Sequence, residues 1–491
     1  MFKSRKSFVV VLFAAFLVVL CGNVAADETG EANSENSAPG GPQLKITETS
    51  LGNTEGIIAK SLAVSPDSKR VAYWAVRGEK LLVVVDGVEG KEYDNMGESR
   101  YGSRGERRSI IFSPDSKRVA YVAARGWKVF VVVDGVEGKE CDGIESLAFS
   151  PDSKRIAYVA ICGEERLVVV DGVEEENTYN NIHGPIFSPD SRRVAYNANR
   201  RKLVESNPVR WISKYLLVVD GVEGREHSSI SSFLFSPDSK HVAYEGGDDH
   251  RFVVVDDLKG REYDWDWSSP VFSPDSKRLA YAASREGKSF VVINQVEGAG
   301  YDHIVASSII FSPDSKRVAY VAKRGGKWLD VVDGVEGKEH DAGIIEGSLM
   351  FSPDSKRVAY AAERGDKQLV VVDGAEGTEY DGIGESGIMF SPDSQHFAYA
   401  AKRAGKWTVI VDGTEGTWDD AIDSALSLDF QRVAYVARRG DKCKIVVDGV
   451  EGKEYDDFIK GSRLVFDSPN KLHGLMERDG EVFLVEIEIT E

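Results

Sequence analysis

Short apolar runs alternate with turn residues along nearly the whole chain, and the same order of runs keeps returning. Residues 352–381, SPDSKRVAYAAERGDKQLVVVDGAEGTEYD, show one cycle. An apolar stretch ends at Phe351, and Pro353-Asp354 then supplies a tight turn, because proline presets the first central torsion and aspartate bonds its own backbone. Alternation predicts a strand over 357–362, a reversal over 364–367 and a third strand over 368–373. Glu376-Gly377 is read as the next turn, into a fourth strand over 378–381. No helical period occurs in the cycle, and four short antiparallel strands in so few residues describe one blade of a β-propeller.

The cycle recurs at 36- to 48-residue spacing. SPDS begins at Ser65, Ser113, Ser150, Ser188, Ser236, Ser273, Ser312, Ser352 and Ser391, and a decayed copy begins at Ser427. A last degraded unit, FDSPNKLHGL followed by EVFLVEIEI, makes eleven. Ten units place Ala-Tyr on the second strand, from Tyr73 to Tyr435. A tyrosine buries roughly 150–250 Å2, and the small alanine beside it lets a neighbour approach, so the blades must stack face to face. These residues resemble the TolB-type, WD-like propeller repeats of exported bacterial proteins, whose hallmark is a strand, an SPDG-like turn and an AY or AF strand. The likeness covers residues 61–491, but no α/β domain precedes the blades and serine replaces the glycine after the aspartate. It implies a propeller in the cell envelope, without TolB's own role.

The predicted fold is therefore all-β, a propeller of about eleven four-stranded blades over residues 43–491, as one large ring or two tandem propellers. The last unit offers only three strands, near 463–466, 472–476 and 482–489, whereas residues 43–49 (QLKITET) alternate without a partner. The N-terminal strand is expected to close the last blade and hide its edge.

Residues 1–26 read as a secretory signal: Lys3, Arg5 and Lys6, an apolar run from Phe8 to Leu20, then Val24-Ala25-Ala26. A lipid anchor at Cys21 is disfavoured because Leu20, not a small residue, precedes it. Residues 27–42 read as a flexible acidic linker. The mature chain is expected to be periplasmic or extracellular and to have no transmembrane span. Cys141, Cys162 and Cys443, odd in number and irregular in spacing, suggest neither a disulfide framework nor a metal site.

The net charge of -19 excludes general nucleic-acid coating, which needs the opposite excess. Basic residues are nevertheless expected to gather on one face. The turn between strands two and three and the links between blades share a side of a propeller, and both long insertions fall there. Residues 95–109 carry Arg100, Tyr101, Arg104, Arg107 and Arg108; residues 199–214 carry Arg200, Arg201, Arg210 and Trp211. Ordinary turns add Lys323-Arg324, Lys402-Arg403, Arg438-Arg439, Arg125 and Lys128. Arginine beside an exposed aromatic is a binding composition. Units four to six break the repeat with Asn197, Glu245, Asp249, His250, and the pair Trp265 and Trp267, which suit a sugar ring. The Asp-Gly after each third strand is expected to be a structural turn rather than an ion-binding circle. GxSxG, HExxH, Walker and DxDxDG motifs are absent, and no cofactor or metal is implied. The expected function is a non-enzymatic protein-interaction scaffold; the alternatives are binding of an anionic glycan and metal-dependent polysaccharide lysis.

Overall fold

The computed structural model describes residues 32–33, 43–54, 56–58, 60–97, 110–206, 209–264, 269–423, 427–429 and 432–490. The signal segment, most of the linker, Arg100, Tyr101, Arg104, Arg107, Arg108, Trp265 and Trp267 lie outside the described residues.

Eleven antiparallel sheets follow one another in chain order and form a single ring, so the tandem alternative is discarded. Blade three is representative: Gly143–Phe149 innermost, then Ile156–Cys162, Glu165–Val170 and Val173–Glu174. The tyrosine of each second strand packs toward one neighbouring blade and the residue after it toward the other, which is why Trp74 of blade one sits with Tyr121 and Phe130 of blade two. Where a tyrosine ends the fourth strand or follows it in a single bridge, its ring meets the next blade's tyrosine edge to face across the joint, at 6.0–6.4 Å.

Ring closure follows the predicted clasp. Gln43–Asn53 pairs along Glu481–Thr490 and serves as the fourth strand of blade eleven, with Ala32–Asn33 paired outside it. Its Glu48 accepts both ends of the Arg478 guanidinium at 2.7 and 3.0 Å, the Tyr455 hydroxyl at 2.7 Å and the Lys453 ammonium at 2.9 Å. Burial alone would raise its pKa, but these donors outweigh it and hold the carboxyl at about 2. On the other side of the seam, the buried His473 bridges the Asp467 carboxylate and the Asp67 carbonyl of blade one, both at 2.7 Å.

The serine that replaces glycine in SPDS has a structural reason. In nine copies it sits in the left-handed region, φ 57–68°, where a side chain is normally a liability. Its hydroxyl accepts the N–H of the SPDS aspartate of the preceding blade at 2.8–3.1 Å in eight successive joints, and the N–H of Arg463 at the closing joint. Glycine would suit the torsion and lose the bond.

One expected turn moves. The chain reverses at Asp373-Gly374, not at Glu376-Gly377, and the fourth strand starts at Ala375. Both residues have positive φ, 52° and 78°, as a type I′ hairpin requires. Gly377 instead marks a bulge: its N–H reaches the Val370 carbonyl at 2.9 Å, and a Cβ there would lie 3.1 Å from that oxygen. The Asp-Gly aspartate is structural, as expected. In blade three, Asp171 accepts the Ile156 N–H and the Arg155 guanidinium.

Candidate interaction site

The insertion in blade four is a β-arm rather than a loop. Strand two runs Val194–Ser206 and strand three Val209–Val219, paired from Ala195↔Val219 out to Ser206↔Val209. Ordinary hairpins stop at the equivalent of Arg200↔Lys214, so the arm projects a further five pairs, roughly 17 Å at strand rise. A proline and a crowd of charges in this stretch of sequence disguised an alternation that continues through Lys202, Leu203, Trp211 and Ile212. Leu203 and Trp211 are direct cross-strand partners on one side of the arm, 48% and 56% exposed. Arg201 stands two residues inward on that side, exposed, with its backbone N–H held by the Asn180 side chain at 2.8 Å. Arg210 is the register partner of Glu205. On the same face of the ring, Trp127 at the blade-two turn is 82% exposed; it was missed because its RGWK turn looked like the others.

Arg200 belongs to the scaffold instead. It forms a bidentate pair with Glu223 and lies 4.9 Å over the Tyr179 ring. The other described basic turns singled out in the sequence behave alike, each cation held by a carboxylate or a ring. The arginine ending strand two pairs with the glutamate of strand four in the same blade: Arg125 with Glu137, Arg324 with Glu336, Arg403 with Glu415, and Arg439 with Glu451. Arg438 takes Asp423 and Asp457. Lys128 takes Asp142, whose other oxygen caps Gly163 of the next blade. Lys323 and Lys402 lie over Trp328 and Trp407. Among the described residues, these turn cations are therefore answered by carboxylates or rings of the scaffold.

The breaks in units four to six separate into distinct places. Asn197 and Glu245 occupy the joint-facing position after Ala-Tyr and are buried, 4% and 5% exposed. The Asn197 amide donates to the Ile230 carbonyl at 3.0 Å, while its own carbonyl has no partner. Glu245 faces Arg251 at 3.7 Å beside a small cavity lined by Phe252, Tyr263 and Tyr281. Burial pushes its carboxyl up, opposed by Ser231 and Arg251. Asp249 and His250 sit apart from it, exposed at the tip of the blade-five turn. The histidines are dispersed as well: His227 meets Tyr244, His340 meets Tyr360, and His241 and His396 pair with Asp256 and Asp412 in different blades. Sequence reading missed a buried network at the joint of blades seven and eight, where Asp330 accepts the Tyr360 hydroxyl at 2.9 Å and His340 lies 3.1 Å from it.

The opposite face carries two rows that the repeat itself concealed. The residue after each SPDS is a cation in blades three to eight: Lys154, Arg192, Lys240, Lys277, Lys316 and Lys356, 76–86% exposed. The residue after each third-strand turn is aliphatic in blades one to seven: Val88, Val136, Val173, Val222, Leu258, Val296 and Val335, 70–75% exposed.

No family model and no curated protein matches the chain. Among solved structures it is similar to a eukaryotic initiation factor (15% identity, 71% of this chain and 95% of that one, TM-score 0.37) and to the Dos1 propeller (12%, 70% and 92%, 0.33). It is also similar to TolB from Acinetobacter baumannii (16%, 64% and 77%, 0.24).

Proposed function

We propose that this chain is an exported, non-enzymatic propeller of the TolB-type repeat kind that holds a protein partner on the face bearing the β-arm. The observation that carries the reading is the Leu203–Trp211 pair: a large aromatic and an aliphatic side chain displayed about half exposed on a two-stranded projection. Such a pair contributes nothing to the ring's core, and a buried aromatic anchor is what a protein interface needs at its centre. Arg201, two residues inward on the same side of the arm, supplies a polar contact beside the pair. An anionic glycan is a poorer fit, because the described turn cations such as Arg125, Lys128 and Arg200 are held by scaffold carboxylates, and the dispersed, structurally bonded histidines speak against a lyase.

The test is affinity capture from an envelope extract with wild type, with L203S/W211S, and with the arm cut back by replacing residues 201–213 with Asn-Gly. The partner is expected to be lost from both variants while the thermal midpoint stays within a degree or two. A partner retained by both variants at wild-type yield would sink the proposal.

A further inference from the structure

The face opposite the arm holds two rows of side chains that stand outside the joints. In the SPDS turn only the backbone N–H of the following residue is needed: that of Lys154 donates to Asp152 at 3.1 Å, as that of Lys316 does to Asp314. The neighbouring arginines, by contrast, are fully engaged, Arg155 on Asp171, on two carbonyls of blade four and on the Phe187 ring. A cation is nonetheless repeated on eight consecutive blades, Lys69 and Lys117 preceding the six of blades three to eight. In those six the SPDS carboxylate lies 3.1–4.0 Å away but is only 31–41% exposed, so the positive ends stand outermost. The aliphatic row lies one residue beyond the type I′ turn at the rim of the same face. Blade ten shows what such a position takes when it is covered. There the strand pair Gln43–Asn53 and Glu481–Thr490 runs past the level of the turn, and Val450 is partly buried against the cluster that includes Leu44 and Ile46.

We propose that this face docks on an anionic lipid surface, the cations meeting headgroup phosphates and the aliphatic side chains entering the acyl boundary. Each row comes from the same residue of successive blades and so keeps a constant height around the ring. A plane touches all of it at once, whereas a globular partner reaches a few blades. A second copy laid face to face would set cations against cations. The acidic excess of the whole chain does not prevent contact, since at 0.1 M salt charges beyond about 10 Å are largely screened. An arc of weak, coplanar contacts suits the composition of a peripheral membrane surface, in which cations and apolar side chains act together.

The experiment is co-sedimentation of the full chain with vesicles of phosphatidylcholine alone or mixed with phosphatidylglycerol. The variants are K240E/K277E/K316E and V173S/V222S/V296S, all carrying the same N-terminal segment. Wild type is expected to favour the anionic vesicles, the charge variant to lose that preference by about tenfold or more, and the serine variant to bind both vesicles less, with unchanged circular-dichroism melts. Equal binding of wild type to both vesicles overturns the proposal, as does wild-type binding by both variants. If those variants keep vesicle binding but lose an acidic protein from an envelope extract, the face belongs to a protein instead.

Discussion

Replacing Glu48 by glutamine isolates the closure of the ring. The carboxylate is 17% exposed and collects three donors, from its own blade (Arg478) and from blade ten (Tyr455 and Lys453). Its pKa falls from 4.5 to about 2 on folding. At about 1.4 kcal/mol per pH unit this converts to roughly 3 kcal/mol, an upper figure because part of the pairing is solvent-screened. The sign follows from the depressed pKa: the contribution is fully present above the unfolded value of 4.5 and is lost as pH falls toward 2. Hydrogen exchange read by mass spectrometry over residues 43–53 and 481–490 reports local opening of this seam, which a global melt of an eleven-blade array would blur. At pH 7, E48Q is expected to raise exchange in both segments by one to two orders of magnitude, about 1.5–3 kcal/mol. The gap between the two proteins should narrow steadily below pH 4.5. A gap that is absent at pH 7, or that keeps its size down to pH 3, refutes the assignment of closure to this carboxylate.

The serine hydroxyls of the SPDS words are tested by Ser153→Ala and Ser153→Gly: both lose the bond from the Asp115 N–H, but only alanine keeps the strained φ of 66°, so denaturant melts should show alanine losing about 1–2 kcal/mol and glycine less. Equal losses would mean the torsion carries no cost. At the joint of blades seven and eight, Tyr360→Phe strands Asp330 and His340 and should cost about 1–3 kcal/mol, whereas the double change D330V/H340Y restores the pattern of the other blades and should be neutral or stabilising in the same melts. Burial pushes the Cys141 thiol up to about 11 and the Cys443 thiol up to about 12, while Cys162 is exposed. Iodoacetamide at pH 8 should therefore label Cys162 first among these three in the native protein, and all three alike only after unfolding.

The blade was legible because its signals are local. Pro-Asp, Asp-Gly and the Ala-Tyr alternation each act over a few residues, and residues 43–49 were visible as a strand without a partner. What was not legible depended on distances between strands. Arg77 and Glu89, Arg125 and Glu137, Arg285 and Glu297 are each 12 residues apart and each paired, a fixed spacing that marks these turn arginines as neutralised but shows only when strands two and four are set side by side. The I′ turn was misplaced by three residues because Glu-Gly follows Asp-Gly so closely; the requirement for two positive φ values decides for the latter. The exposure of Val88 and its counterparts could not be read, since a valine at the start of a strand looks the same whether or not another element covers it.

The choice of one ring over two follows from the joints themselves. In seven of them the same arginine lies 5.0–5.4 Å over the next blade's phenylalanine. The aspartate N–H to serine bond runs unbroken from blade one to blade nine. Joints built from the same atoms impose nearly the same rotation, about 33° for eleven blades in a full circle. Two tandem propellers would need one joint in the middle of the array to be broken and two blades to find new neighbours. The bond from Asp190 to Ser239 and the bond from Asp238 to Ser276 show the central blades joined like the rest. Uniform joints also restrict where specificity can reside. A side chain that enters a joint is answerable to two blades, so departures such as Asn197, Glu245 and Asp330 must be absorbed by local partners. The arm, the cation row and the aliphatic row lie outside the joints, where a change costs the ring little and a partner can be met.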